Sequence, residues 1–314
     1  MEAQASIAFA GTPQFAVPAL ERLIASGHEP SLVLTQPDRP SGRGRKPAAS
    51  PVKQVAAARC LRVRQPASLT GAAAQAADWG PRPDLLIVVA YGLLLPQWLL
   101  DWPRVAAVNL HASLLPRWRG AAPIQHAILA GDLETGISVM KMQLGLDSGP
   151  VYLRRSLRIG PAETAAELHD HLAGLAAEAL LEILPALSTG EAVAEPQDHA
   201  QASYAPKILK SHAAIDWHEA AVVLERKVRA FKPWPVAQAK LSDGRVMRIW
   251  EAEAIDAASA APAGTITAAA PAGIDVATGL GLLRIKRLQF AAAKALTPAA
   301  YLNAHSLEGV CFVG

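Results

Sequence analysis

Residues 6–34 read SIAFAGTPQFAVPALERLIASGHEPSLVL, and this stretch decides the fold class. Ser6–Ala10 is a short apolar run that stops at Gly11-Thr12-Pro13. Phe15, Val17, Leu20, Leu23 and Ile24 then recur at helical spacing until Gly27, and Ser31–Leu34 is a second apolar run. Strand, glycine turn, helix, strand is the opening of a doubly wound α/β domain.

The chain downstream extends that pattern. Asp84–Ala90 (DLLIVVA) predicts a parallel strand covered on both faces, and Val105–Leu110 predicts another. Ala121–Leu129 reads as a helix with Pro123 in its first turn, Gly136–Gln143 as an alternating strand, and Ala162–Leu187 as a long amphipathic helix. Residues 189–207 lose periodicity and gather Pro, Gly, Ser and polar residues, the composition of a linker. Beyond them one helix, Ala220–Phe231, precedes five short strands separated by turns, which predicts a small β-barrel.

A chain of 314 residues exceeds one ordinary core, so two domains are expected. With 51% hydrophobic and 18% charged residues it is globular and neither disordered nor collagenous. No run of about 18 consecutive apolar residues occurs. Met1–Ala10 carries Glu2 and no basic cluster, so no signal peptide is expected. Cys60 and Cys311 share no metal or disulfide spacing, and a cytoplasmic protein is expected.

The net charge of +3 is unevenly spread. Residues 37–64 hold eight Lys/Arg against one Asp, and residues 205–314 hold thirteen basic against nine acidic side chains. Two basic regions around an acidic middle suit an extended polyanion, although charge alone fits a solvated surface equally well.

Asn109 and His111 stand two apart at the end of an apolar run, on one face of the predicted strand. Open α/β sheets place ligands at such strand ends. An isolated Asn-x-His is more often a core histidine beside a turn residue. The neighbouring sequence argues otherwise: His111 runs into Ala112-Ser113-Leu114-Leu115-Pro116-Arg117-Trp118-Arg119-Gly120, and Gly145-Leu146-Asp147-Ser148-Gly149 begins 34 residues after His111.

With Phe9–Pro13, Thr35–Pro40, Ala90–Gly92 and Phe231–Pro235, these motifs make the sequence resemble the folate-dependent formyltransferases over almost its whole length. The resemblance implies a Rossmann-like catalytic domain with a parallel-type sheet over residues 1–188, and an OB-like β-barrel over 208–314. It implies 10-formyltetrahydrofolate as co-substrate, no metal, and a catalytic set of Asn109, His111 and Asp147. That set suits the chemistry. An amine attacking a formyl carbon creates a negative oxygen that fixed donors must meet, and Asn109 and His111 are such donors. Asp147 supplies a negative charge and helps move the amine proton towards the leaving nitrogen. Ser113, Leu114, Leu115 and Pro116 are implied as the folate-contacting loop.

The resemblance also implies an acceptor, the amino group of initiator methionyl-tRNA. Pro37–Pro51 is long, basic and punctuated by glycine and proline, and Arg43, Arg45 and Lys46 match the tRNA-contacting part of that loop by position. Lys207 and Lys210 lead the candidate phosphate contacts of the second domain, with Arg226, Lys227, Arg229, Lys232 and Arg248. A monomer is expected. A small-amine formyltransferase, a formyl-folate hydrolase and a nucleic-acid-binding protein without catalysis are the competing readings. The first two share the catalytic residues, and the small-amine enzyme has no evident use for the basic regions. The third has no need of the triad.

Overall fold

The computed structural model describes residues 5–41, 46–71 and 78–313. Its main sheet has seven strands, in the order Val151–Arg158, Glu134–Lys141, Ala106–His111, Leu85–Val89, Ile7–Gly11, Leu32–Leu34, Val63–Arg64. The five strands from Ala106–His111 to Val63–Arg64 pair in parallel, and the two that follow in the chain add antiparallel at one edge. Leu85–Val89 is buried at all five positions, as a strand covered on both faces requires. Each such side chain contributes roughly 1.5–3 kcal/mol relative to exposure.

The predicted opening is present. Strand Ile7–Gly11 stops where a Cβ on Gly11 would stand 2.8 Å from the side chains of Ala16 and Phe9, so the chain turns tightly there. A 3-10 turn, Gln14–Ala16, leads into helix Val17–Ala25. At the other end of the sheet, the backbone N–H and hydroxyl of Ser6 both donate to Asp84 Oδ2 at 2.8 Å, tying together the starts of two neighbouring strands. These bonds hold the Asp84 carboxyl below the usual carboxylate range.

Several elements go beyond the sequence reading. Arg39–Ser41 and Lys46–Ala48 pair as an antiparallel hairpin inside the basic segment. Helix Pro51–Ala58 follows, with the Ser50 hydroxyl accepting from Lys53 N–H at 3.1 Å as its N-cap. Gly136–Gln143 is expected to alternate between two environments; the strand instead runs Glu134–Lys141, and Thr135 through Met140 are all buried, so both of its faces are covered. Helix Ala165–Thr189 is long and apolar enough to cross a membrane by length and composition. Its Leu168, Leu172, Ala176, Leu180 and Leu184 recur every fourth residue and are buried, the pattern of a core helix.

The chain divides into two compact units. The first comprises 1–123, 134–158 and 169–205, and the second 124–133, 159–168 and 206–314. The second holds a six-stranded antiparallel sheet whose outer strands are Ile266–Ala270 and Phe312–Val313. A bridge between Thr265 and Cys311, with Phe312 N–H donating to the Gly264 carbonyl at 2.8 Å, joins these two edges and curls the sheet into a barrel. Its interior is filled by Trp217, Leu224, Val228, Met247, Ile249, Ile285 and their neighbours.

Candidate active site

Strand Ala106–His111 places Asn109 and His111 on one face, opposite Leu110. Asn109 is half-buried, and its side-chain amide makes no hydrogen bond among the described residues. His111 is buried, and its Nε2 lies 2.9 Å from the carbonyl oxygen of Trp118. A carbonyl only accepts, so Nε2 carries the hydrogen and a neutral ring has its lone pair on Nδ1. That nitrogen is 3.7 Å from Oδ2 of Asp147.

Asp147 stands on the loop after strand Glu134–Lys141, in the left-handed backbone region at φ 47°. Its Oδ2 also accepts the backbone N–H of Gly120 at 2.8 Å. The carboxylate is therefore fixed from one side by the loop after His111 while it faces the imidazole on the other.

The Ser113–Pro116 loop is tightly laced. Ser113 Oγ donates to the Arg117 carbonyl at 2.6 Å, Leu115 N–H donates to Ser138 Oγ at 3.0 Å, and Arg154 Nε donates to the Leu115 carbonyl at 2.9 Å. Ser138, the polar position of its strand, is thus buried with both roles of its hydroxyl used, since it also donates to the Ser113 carbonyl at 2.7 Å. Ser113 and Leu115 are buried, while Leu114 and Pro116 are half-exposed.

Loops after three parallel strands converge on Tyr91. Its carbonyl accepts Thr12 Oγ1 at 2.8 Å and Gln36 Nε2 at 3.0 Å. Its hydroxyl is buried and has no hydrogen-bond partner among the described residues, and burial pushes the phenol up to about 12.

Of the residues expected to meet tRNA, Arg43 and Arg45 lie outside the described residues, as does the side chain of Lys46. Lys207 and Lys210 are exposed at the start of the C-terminal region. Two of the further cations are already engaged, Arg229 with Glu225 and Lys232 with Glu251 at 3.2 Å. Among the described residues no group of His, Cys, Asp and Glu is arranged to hold a metal ion.

The sequence reading missed the residues that brace this site. Arg119 is buried, and Tyr204–Ala205, inside the stretch expected to be a linker, pairs in parallel with Arg119–Gly120. Ser203 Oγ accepts Trp118 N–H at 2.9 Å, holding the residue whose carbonyl orients His111. Gly120 has φ 118°, and a Cβ there would stand 2.8 Å from the Ala205 carbonyl oxygen. Only the single glycine of the motif, Gly120, hinted at this close approach.

Comparison with known proteins agrees with this architecture. Residues 5–184 match the formyl transferase family and residues 207–306 match the formyl transferase C-terminal domain. The chain is 54% identical over 303 residues to a methionyl-tRNA formyltransferase of Methylococcus capsulatus, covering 96% of this chain and 98% of that protein. It is 52% identical over 308 residues to one of Nitrosococcus oceani, covering 98% and 95%. Among solved structures, HypX from Aquifex aeolicus in complex with tetrahydrofolic acid has the same fold at 18% identity and a TM-score of 0.64, covering 98% of this chain and 48% of that one. WlaRD, a sugar 3N-formyl transferase, matches at 14% identity and a TM-score of 0.66, covering 93% and 99%. By its motifs, its fold and its identity to these relatives over nearly its full length, the chain belongs to the methionyl-tRNA formyltransferase family.

Proposed function

We propose that this protein transfers the formyl group of 10-formyltetrahydrofolate to the amino group of initiator methionyl-tRNA, giving N-formylmethionyl-tRNA for translation initiation. The observation that carries the reading is the arrangement of three groups at one strand end. An Asn109 amide with no hydrogen bond among the described residues, the Nδ1 lone pair of His111 and the Asp147 carboxylate lie on adjoining elements.

The reading gives each group a role that this geometry suits. The Asn109 amide donates to the oxygen that becomes negative as the amine adds to the formyl carbon. A donor of this kind is worth about 2.7–4 kcal/mol. His111 Nδ1 takes the proton that the amine loses, and the Asp147 carboxylate faces the resulting imidazolium. The same proton is then available to the folate nitrogen as its bond to the formyl carbon breaks. Leu114 and Pro116, with the backbone of the loop, are the parts of the Ser113–Pro116 segment left to meet the co-substrate.

Arg43, Arg45, Lys46, Lys207 and Lys210 are assigned to tRNA, on the basic character of their segments. We assign catalysis to residues 1–188 and tRNA binding to the barrel at 208–314, and take the protein to act as a cytoplasmic monomer. The test is incubation with charged initiator tRNA and labelled 10-formyltetrahydrofolate. Label on the aminoacyl group supports the reading. Label released only as formate, or passed only to small amines such as glycinamide ribonucleotide or an amino sugar nucleotide, overturns it.

A further inference from the structure

We propose that Gln197 is a positioning residue for Asp147, and that the segment joining the two family domains is therefore part of the active site. The inference rests on the catalytic reading of Asp147 given above. Gln197 lies between the two matched domains, which end at residue 184 and resume at 207. It is nevertheless buried, at 5% exposure.

Its carboxamide is fully used. Oε1 accepts Nε and Nη2 of Arg119 at 3.0 and 2.7 Å, and Nε2 donates to the carbonyls of Asp147 and Gly149 at 2.9 and 2.6 Å. A guanidinium only donates, so the atom facing Arg119 must be the oxygen, and the amide can point only one way. Arg119 is itself held at 3.2 Å by His199 Nδ1 and through its backbone N–H by the Ser203 carbonyl at 2.8 Å.

The consequence concerns Asp147. A non-glycine residue in the left-handed region costs on the order of 1–3 kcal/mol and persists only where its surroundings hold it. Two groups hold this one: Gly120 N–H at the carboxylate and Gln197 Nε2 at the main-chain carbonyl. The second fixes the turn from which the carboxylate reaches His111. Without it the turn can relax while the fold and the folate-binding surface persist.

The experiment uses the full-length protein with Gln197→Met, Gln197→Glu, Asp147→Ala and the double variant Asp147→Ala/Gln197→Met. Single-turnover rates, KM for both substrates and tetrahydrofolate affinity are measured for each. Glutamate keeps the acceptor for Arg119 but loses both donations to the carbonyls, so it separates the two halves of the network. Misplacing a reacting group by about 1 Å can cost on the order of 100-fold in rate, so both single Gln197 variants should lose about 10- to 100-fold in rate with KM and folate affinity near native. The double variant should be no slower than Asp147→Ala alone.

Native rates in Gln197→Glu would overturn the proposal, because anchoring Arg119 would then be the residue's whole contribution. Losses that multiply in the double variant would overturn it too, since Gln197 would act independently of Asp147. If Gln197→Met fails to fold, Gln197→Glu and its combination with Asp147→Ala carry the test. Full activity in Asp147→Ala is a different result, and it would remove the catalytic reading itself.

Discussion

Nε2 of His111 donates to the Trp118 carbonyl at 2.9 Å, and this contact decides which ring nitrogen is free to take a proton. The carbonyl belongs to a residue seven positions further along the chain, in the loop that follows strand Ala106–His111. Main-chain geometry therefore sets the tautomer of the ring, with Asp147 facing the other nitrogen.

Asn109→Ala, His111→Ala and Asp147→Ala should each lower the rate of formyl transfer by about 100-fold or more while melting temperatures stay near native, since each removes a donor or proton carrier proposed for the transition state. Rapid-quench assays with charged tRNA, beside thermal melts, check this. Near-native rates in all three would mean that the reacting atoms meet elsewhere.

Gly120→Ala should weaken both stability and activity. Its φ of 118° is unfavourable for any other residue, and the added Cβ meets the Ala205 carbonyl at 2.8 Å. The strand pairing must open, at a cost of about 2 kcal/mol or more, and Gly120 N–H withdraws from Asp147. Urea denaturation and the single-turnover rate should fall together. An unchanged rate in a destabilised variant would separate the Gly120 contact from catalysis.

Binding of tRNA should weaken as salt rises, because phosphate neutralisation releases counterions. Arg43→Ala should reduce formylation of charged tRNA far more than folate affinity, and Arg43→Lys should restore only part of it, because lysine lacks the bidentate fork. Lys207→Ala with Lys210→Ala should lower the salt slope by roughly 1–2. Filter binding across a salt series checks both, and flat salt dependence would dismiss the polyanion surface.

Asp84 gives a pH-dependent prediction. Its carboxyl is held below the usual range in the folded chain, so its contribution is present above the unfolded value of about 3.9 and is lost as pH falls through the lowered folded value. Asp84→Asn should cost about 1 kcal/mol near neutrality, allowing for solvent screening, and the gap from the native protein should close below about pH 4. Urea midpoints at pH 7 and pH 3 measure it. A gap that stays constant with pH would show that the Ser6 contacts do not depend on the charge.

The sequence made legible whatever was carried by period and by motif. Leu85–Val89 was readable because a strand buried on both faces needs an unbroken apolar run. Asn109, His111 and Asp147 stood out because the motif around them is distinctive, and His111 and Asp147 lie 3.7 Å apart in the structure. Strand Val151–Arg158 was hidden by its three arginines, two of which bond to the Leu115 carbonyl and to Glu182. Ser138 carried no sign that its hydroxyl would be buried as a brace. Gln197 was the least visible, since a single polar residue in a proline- and serine-rich run looks the same whether it is solvated or fully bonded.

The bond between Ser203 Oγ and Trp118 N–H joins residues 85 positions apart. Ribosomes deliver a chain from its N-terminus, so the strand bearing Asn109 and His111 emerges well before its last brace exists. Closing so long a loop is entropically costly and needs many contacts at once, which the Tyr204–Ala205 pairing and its neighbours provide together. A nascent chain released before residue 203 would carry all three proposed catalytic side chains and yet lack the grip on Trp118. In this molecule, the brace on Trp118 can close only late in synthesis.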